Sequence, residues 1–210
     1  TFRTLDNPNA YGTRANDNFG CTVGISEGNQ TAIVGAWDED DAGGLLSGKA
    51  YMFRIDTGQI TQTLDNPNTY STSANDRFGS AVAISNGNAI VGAPGEESFS
   101  SGKAYIYNIS TGVTFRTLDN PNAYSTSADD QFGYSVDISA SGLCAIVGAW
   151  LEDDAGGAMS GKAYIFSTST GNLLHTLDNP NPTGTSVGDR FGAAVGVSGT
   201  TCIVGAYAER

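Results

Sequence analysis

Two loops concentrate the carboxylates of this sequence. They read Asp38-Glu39-Asp40-Asp41-Ala42-Gly43 and Leu151-Glu152-Asp153-Asp154-Ala155-Gly156, and each follows a Gly-Ala-Trp step. Calcium takes roughly six to eight oxygen ligands, which one loop of carboxylates and carbonyls can supply. Asp38, Asp40, Asp41, Glu152, Asp153 and Asp154 are therefore the candidate metal ligands, and calcium is the one cofactor they suggest. The corresponding loop Gly95-Glu96-Glu97-Ser98 is three residues shorter and is expected to bind no metal. A structural alternative stands beside this. Counted from the glycine of Val-Gly-Ala, the fourth residue on is always glutamate: Glu39, Glu96, Glu152 and Glu209. Such acids can simply be solvated or pair with Lys49, Lys103 and Lys162.

Other chemistry is sparse. Asp17, Asp76, Asp130 and Asp189 each precede a Phe-Gly step, where an aspartate most often caps a turn through its own side chain. Tyr11, Tyr70 and Tyr124 share one loop position and suggest either packing between units or a sugar-binding aromatic row. His175 is the single histidine and has no counterpart elsewhere in the chain. No Gly-Lys-Ser phosphate loop and no Cys/His set at zinc spacing occurs. No catalytic residue is therefore assigned. A carboxylate pair of the glycosidase kind remains the enzymatic alternative.

The elements that position these residues repeat. Leu-Asp-Asn-Pro-Asn begins at Leu5, Leu64, Leu118 and Leu177, in steps of 59, 54 and 59 residues. Asp-x-Phe-Gly follows at Asp17, Asp76, Asp130 and Asp189, and Ile-Val-Gly-Ala at Ile33, Ile90, Ile146 and Ile203. Ser-Gly-Lys-Ala-Tyr begins at Ser47, Ser101 and Ser160. The units run over residues 17–75, 76–129 and 130–188, with 189–210 a partial fourth and 1–16 the end of a preceding one. Each offers four strand-like runs, in the first unit Cys21–Ser26, Thr31–Ala36, Ala50–Ile55 and Ile60–Leu64. Period-two patterning, β-branched residues and aromatics mark them as strands. Glu27-Gly28-Asn29 and Asp56-Thr57-Gly58 mark turns between them. Four-stranded units at this spacing predict an all-β fold of antiparallel propeller blades, with the small-residue first strand innermost.

Composition narrows the partners. A net charge of −12 over 210 residues disfavours nucleic acid and anionic lipid. No apolar run approaches the length of a membrane span, so membrane insertion is not expected. Cys21, Cys144 and Cys202 occupy non-equivalent places and read as small buried apolar residues rather than a disulfide framework.

Phe-Gly at the start of the first strand and Val91-Gly92-Ala93-Pro94 resemble the FG-GAP repeat. That resemblance implies part of a larger, seven-bladed propeller of the integrin α kind, and the short near-identical units are similar to bacterial or phage versions. The acidic loops depart from the family's Asp-x-Asp-x-Asp-Gly-x-x-Asp calcium pattern. The expected function is a non-catalytic binding or structural module on a virion, a cell surface or a secreted protein, meeting a protein or glycan ligand. Phe2–Leu5 reads as a fourth strand without its third, and Cys202–Ala206 as a second strand without its third. Further blades or further copies of the chain are thus expected partners.

Overall fold

The computed structural model describes residues 3–9, 17–26, 28, 30–40, 44–68, 74–97, 100–122, 128–154, 157–181 and 187–209. They form fourteen strands. The first sheet is β1 (Val23–Ser26), β2 (Thr31–Ala36), β3 (Lys49–Arg54) and β4 (Ile60–Asp65). The second is β5 (Ala81–Ser85), β6 (Asn88–Ala93), β7 (Lys103–Asn108) and β8 (Thr114–Asp119). The third is β9 (Phe132–Ile138), β10 (Cys144–Ala149), β11 (Lys162–Ser167) and β12 (Leu173–Asp178). A two-stranded sheet of β13 (Phe191–Ser198) and β14 (Thr201–Ala206) follows. Within each sheet neighbours in sequence are neighbours in space, and every pair is antiparallel.

Alternation along each strand sends successive side chains to opposite faces. Both faces of a blade are therefore apolar, and each core lies between two blades. Ile33, Ala50, Met52 and Leu64 of the first sheet meet Val82, Ile84, Val91, Tyr105 and Tyr107 of the second. Ile90, Ala104, Ile106 and Leu118 from the other face of the second sheet meet Val136, Val147, Tyr164 and Phe166 of the third. The first strands β1, β5, β9 and β13 stand against one another and form the inner edge. The fourth strands β4 and β12 are mostly exposed, and β8 is mostly half-buried. This is propeller-blade packing.

The motif residues interlock the blades. A Cβ added to Gly92 would stand 2.0 Å from Gly133 O, the glycine of the next Phe-Gly. Gly133 itself has φ of +93°, which an L side chain rarely adopts. The preceding Phe132 donates its N–H to Ser101 O at 3.0 Å, in the second unit's Ser-Gly-Lys. Its ring packs against Tyr164 and Phe166 of its own blade, with centroids 5.8 Å away. The Phe-Gly step thus joins one blade's Gly-Ala and Ser-Gly-Lys to the next blade's third strand.

Three local expectations are corrected. Arg3–Leu5 is not a strand, because no described strand lies beside it to supply a ladder. Arg3 Nη2 instead donates to Asp56 O at 2.8 Å, and Leu5 packs against the first sheet. Phe2 lies outside the described residues. Secondly, β1 starts at Val23 rather than Cys21. Lastly, Cys21 is exposed and Cys144 and Cys202 are half-buried; all three are free thiols. Cys21 precedes the ladder, at the rim, with its thiol toward the carbonyls of Gly35 and Gly79.

Candidate functional site

The glutamate after Gly-Ala is deeply buried in each of the three full units: Glu39, Glu96 and Glu152 are 1%, 2% and 0% exposed. Its partner is the tyrosine of Ser-Gly-Lys-Ala-Tyr. Tyr51 Oη donates to Glu39 at 2.6 Å, and Tyr164 Oη to Glu152 at 2.7 Å. Tyr105 makes the same bond to Glu96. The lysine of that motif flanks the pair, with Lys162 Nζ 3.2 Å from Glu152 and Lys49 Nζ 3.8 Å from Glu39. In the second unit Lys103 turns to Glu97 at 2.7 Å and Asp119 at 3.0 Å. Glu96 Oε2 is then left buried with no hydrogen-bond partner.

Burial is the main cause of the electrostatics here. It pushes the Glu96 and Glu152 carboxyls up to about 7, against the tyrosine hydrogen bonds that favour the charge. Burial first, then the facing glutamate, holds the Tyr105 and Tyr164 phenols far above their ordinary value. For Lys103 burial opposes the charge, but hydrogen bonds to Glu97 and Asp119 outweigh it and raise the pKa.

A second buried acid holds the blade junction. Asp130 Oδ2 accepts from Asn120 Nδ2 at 2.9 Å and from Asn122 Nδ2 at 3.1 Å. Asn120 Oδ1 in turn accepts the N–H of Asn122 at 2.9 Å. The same clasp joins Asp76 to Asn66 and Asn68, and Asp189 to Asn179 and Asn181. Asp17 accepts from Asn7 at 3.1 Å. The aspartate of Asp-x-Phe-Gly is therefore structural, but its partner is the Asn-Pro-Asn segment rather than a local turn. Paired repetition of the two motifs ten residues apart was the legible signal for it.

The calcium candidates lie apart in their hydrogen bonding. Asp40 Oδ1 accepts from Leu46 N at 2.9 Å, and Asp153 Oδ1 from Met159 N at 2.8 Å. Asp38 Oδ2 accepts from Asn18 at 3.0 Å. Asp154 forms an isolated backbone bridge to Gly157. Both Glu152 oxygens face Tyr164. Among the described residues no three His, Cys, Asp or Glu side chains converge as a metal-binding group. Asp41 lies outside the described residues, as do Tyr11, Tyr70, Tyr124 and Ser98. His175 is exposed on β12.

Two clefts remain. The larger, about 560 Å³, lies at the end of the blades that carries the β5–β6 and β7–β8 turns. Its amides are engaged in joining blades: Asn86 Nδ2 donates to Ser141 O at 2.6 Å. The other, about 380 Å³, lies at the opposite end, among Trp37, Arg77, Ser80, Pro94, Gln131 and Tyr134. Sequence reading passed over these residues because it treated the place after Gly-Ala only as a mark of the repeat.

The family model for the FG-GAP repeat matches residues 9–53, 71–107 and 123–166, more than half of the chain. The chain belongs to the FG-GAP repeat family. Its three matched stretches fall on the three four-stranded sheets, so the FG-GAP repeats are the blades just described. No curated protein matches the chain. No helix among the described residues is long and apolar enough to cross a membrane.

Proposed function

We propose that this FG-GAP protein is a non-catalytic binding or structural propeller module that works outside the cell, on a cell surface, a virion or a secreted protein. One observation carries the reading. The buried acids Glu39, Glu152, Asp76 and Asp130 recur in register and are each held by partners within the repeat. An acid–base pair needs a group poised toward substrate, whereas these face tyrosine, lysine and asparagine side chains. The rim around Trp37, Arg77 and Tyr134 is instead open, aromatic and hydrogen-bonding, which suits recognition of a protein or glycan.

Assembly belongs to the same reading. Val23 and Ile25 on β1 are each 67% exposed, while their repeat counterparts Val82 and Ile84 are buried against a neighbouring blade. Ile203 is 74% exposed where Ile33, Ile90 and Ile146 are fully buried. Exposed faces of this kind favour contact with another copy or another blade.

The test is capture without turnover. The purified chain, immobilised over arrays of glycans and of surface proteins, is expected to retain a ligand unchanged, and Glu152→Gln is expected to retain it equally. Hydrolysis of a glycoside that Glu152→Gln or Glu96→Gln abolishes would overturn the reading in favour of a carbohydrate-active enzyme.

A further inference from the structure

Three positions of the repeat meet at the rim that carries the smaller cleft. The residue after Phe-Gly is Cys21, Ser80, Tyr134 or Ala193; the residue after Gly-Ala is Trp37, Pro94, Trp150 or Tyr207. The residue between Asp and Phe is Asn18, Arg77, Gln131 or Arg190. At the junction of the third and fourth units these side chains fill their own space. Tyr134 stacks on Trp150 at 4.5 Å, and Trp150 lies 6.0 Å from Tyr207. Arg190 covers Trp150 at 4.8 Å and donates to the Tyr207 hydroxyl. In the second unit Ser80 and Pro94 stand where rings stand later. The stack is interrupted, and the cleft opens between Trp37 on one side and Tyr134 on the other.

We propose that this cleft binds the carboxylate-bearing unit of an acidic glycan, a uronic- or sialic-type sugar. Arg77 carries the argument. Its guanidinium lies 5.4 Å over the Trp37 ring, as Arg190 lies over Trp150. Pro94 offers no hydroxyl in the place of Tyr207, so Arg77 has lost the acceptor that Arg190 keeps. Among the described lysines and arginines every other side chain has a hydrogen bond or an ion pair. Arg77 alone has neither, in a chain of net charge −12. An arginine fork is shaped for a carboxylate. Beside it, Ser80 Oγ has no hydrogen-bond partner. Gln131 Oε1 accepts from Trp150 Nε1 at 2.9 Å, which leaves the amide nitrogen as a donor for a hydroxyl. Tyr134, 38% exposed, and Trp37 supply the flat faces on which a sugar ring packs. The volume of 380 Å³ is at the lower end of small-molecule sites, roughly 300–1,000 Å³.

The inference rests on the reading of the molecule as a binding module, and its test is separate from that one. The 210-residue chain is titrated with trigalacturonic acid and with 3′-sialyllactose, against neutral maltotriose and lactose, by calorimetry and tryptophan fluorescence. At least one acidic sugar should bind about tenfold tighter than its neutral counterpart, with the preference falling in high salt. The arm that responds distinguishes uronate from sialate. Arg77→Gln should weaken that binding about tenfold or more, and Trp37→Phe should remove the fluorescence change, which Trp150→Phe should keep. Pro94→Tyr installs the residue that the fourth unit carries at this place, so it should close the cleft and abolish binding with the melting temperature held. Equal affinity for acidic and neutral sugars would overturn the proposal. So would binding indifferent to Arg77→Gln and Pro94→Tyr, or a tri-aspartate peptide that binds tighter than either acidic sugar. Failure of the acidic sugars alone leaves the binding-module reading intact.

Discussion

At the scale of single residues, the buried glutamates decide how this molecule responds to pH. Glu96 moves from an ordinary 4.5 to about 7 on burial, so the folded chain holds its proton more tightly than the unfolded one. That contribution to stability is complete below pH 4.5 and is lost as pH rises to about 7. Glu152 acts in the same direction. Melting temperature should therefore be higher at pH 5 than at pH 8. Relief of the general acidic repulsion has the same sign, so Glu96→Gln separates the two. Gln still accepts the Tyr105 hydroxyl and carries no charge. Its melting temperature at pH 8 should exceed that of the parent by an amount corresponding to at most about 3 kcal/mol, and its pH dependence should be flatter. Identical pH profiles for parent and variant would remove Glu96 as a cause.

Elements are joined by close approach and by the asparagine clasp. Gly92→Ala places a methyl group against the Gly133 carbonyl, where backbone rather than a flexible side chain must move. A loss of about 3 kcal/mol is expected in denaturant unfolding; Gly28→Ala, with nothing within 4 Å, should cost far less. Asn122→Ala leaves the buried Asp130 carboxylate with one fewer donor and should cost about 1–3 kcal/mol. The loops that carry Asp40 and Asp153 close on their own backbone N–H groups. Calcium is thus expected to leave the melting temperature unchanged. A rise that Asp40→Asn and Asp153→Asn remove would assign a metal to these loops.

For the whole molecule, the blade stack leaves two unlike apolar faces, Val23 with Ile25 and Ile203. Each matches one half of an interface that the chain already makes between its successive sheets. Light scattering of the 210-residue chain should show concentration-dependent association, reduced by Ile25→Lys or Ile203→Lys. A monodisperse monomer for the parent would count against assembly through these faces.

The four antiparallel strands per unit and the inner place of the first strand were legible in the sequence. Each rests on local patterning, period-two alternation and fixed turn residues, repeated often enough to cancel chance. Of the acids' partners, the lysines and the recurring Asn-Pro-Asn motif could be read, and the tyrosines could not. Glu39 and Tyr51 are 12 residues apart in the chain and meet because β2 and β3 pair in register. The clasp on Asp130 and the contact of Gly92 with Gly133 likewise depend on chain segments brought together only by folding. The rim cleft needs three successive blades at once, since Trp37, Ser80 and Tyr134 come from different units. Sequence shows that Pro94 stands where the other units carry an aromatic ring; only the packing of blades around one inner edge turns that difference into a space with an unpaired arginine beside it.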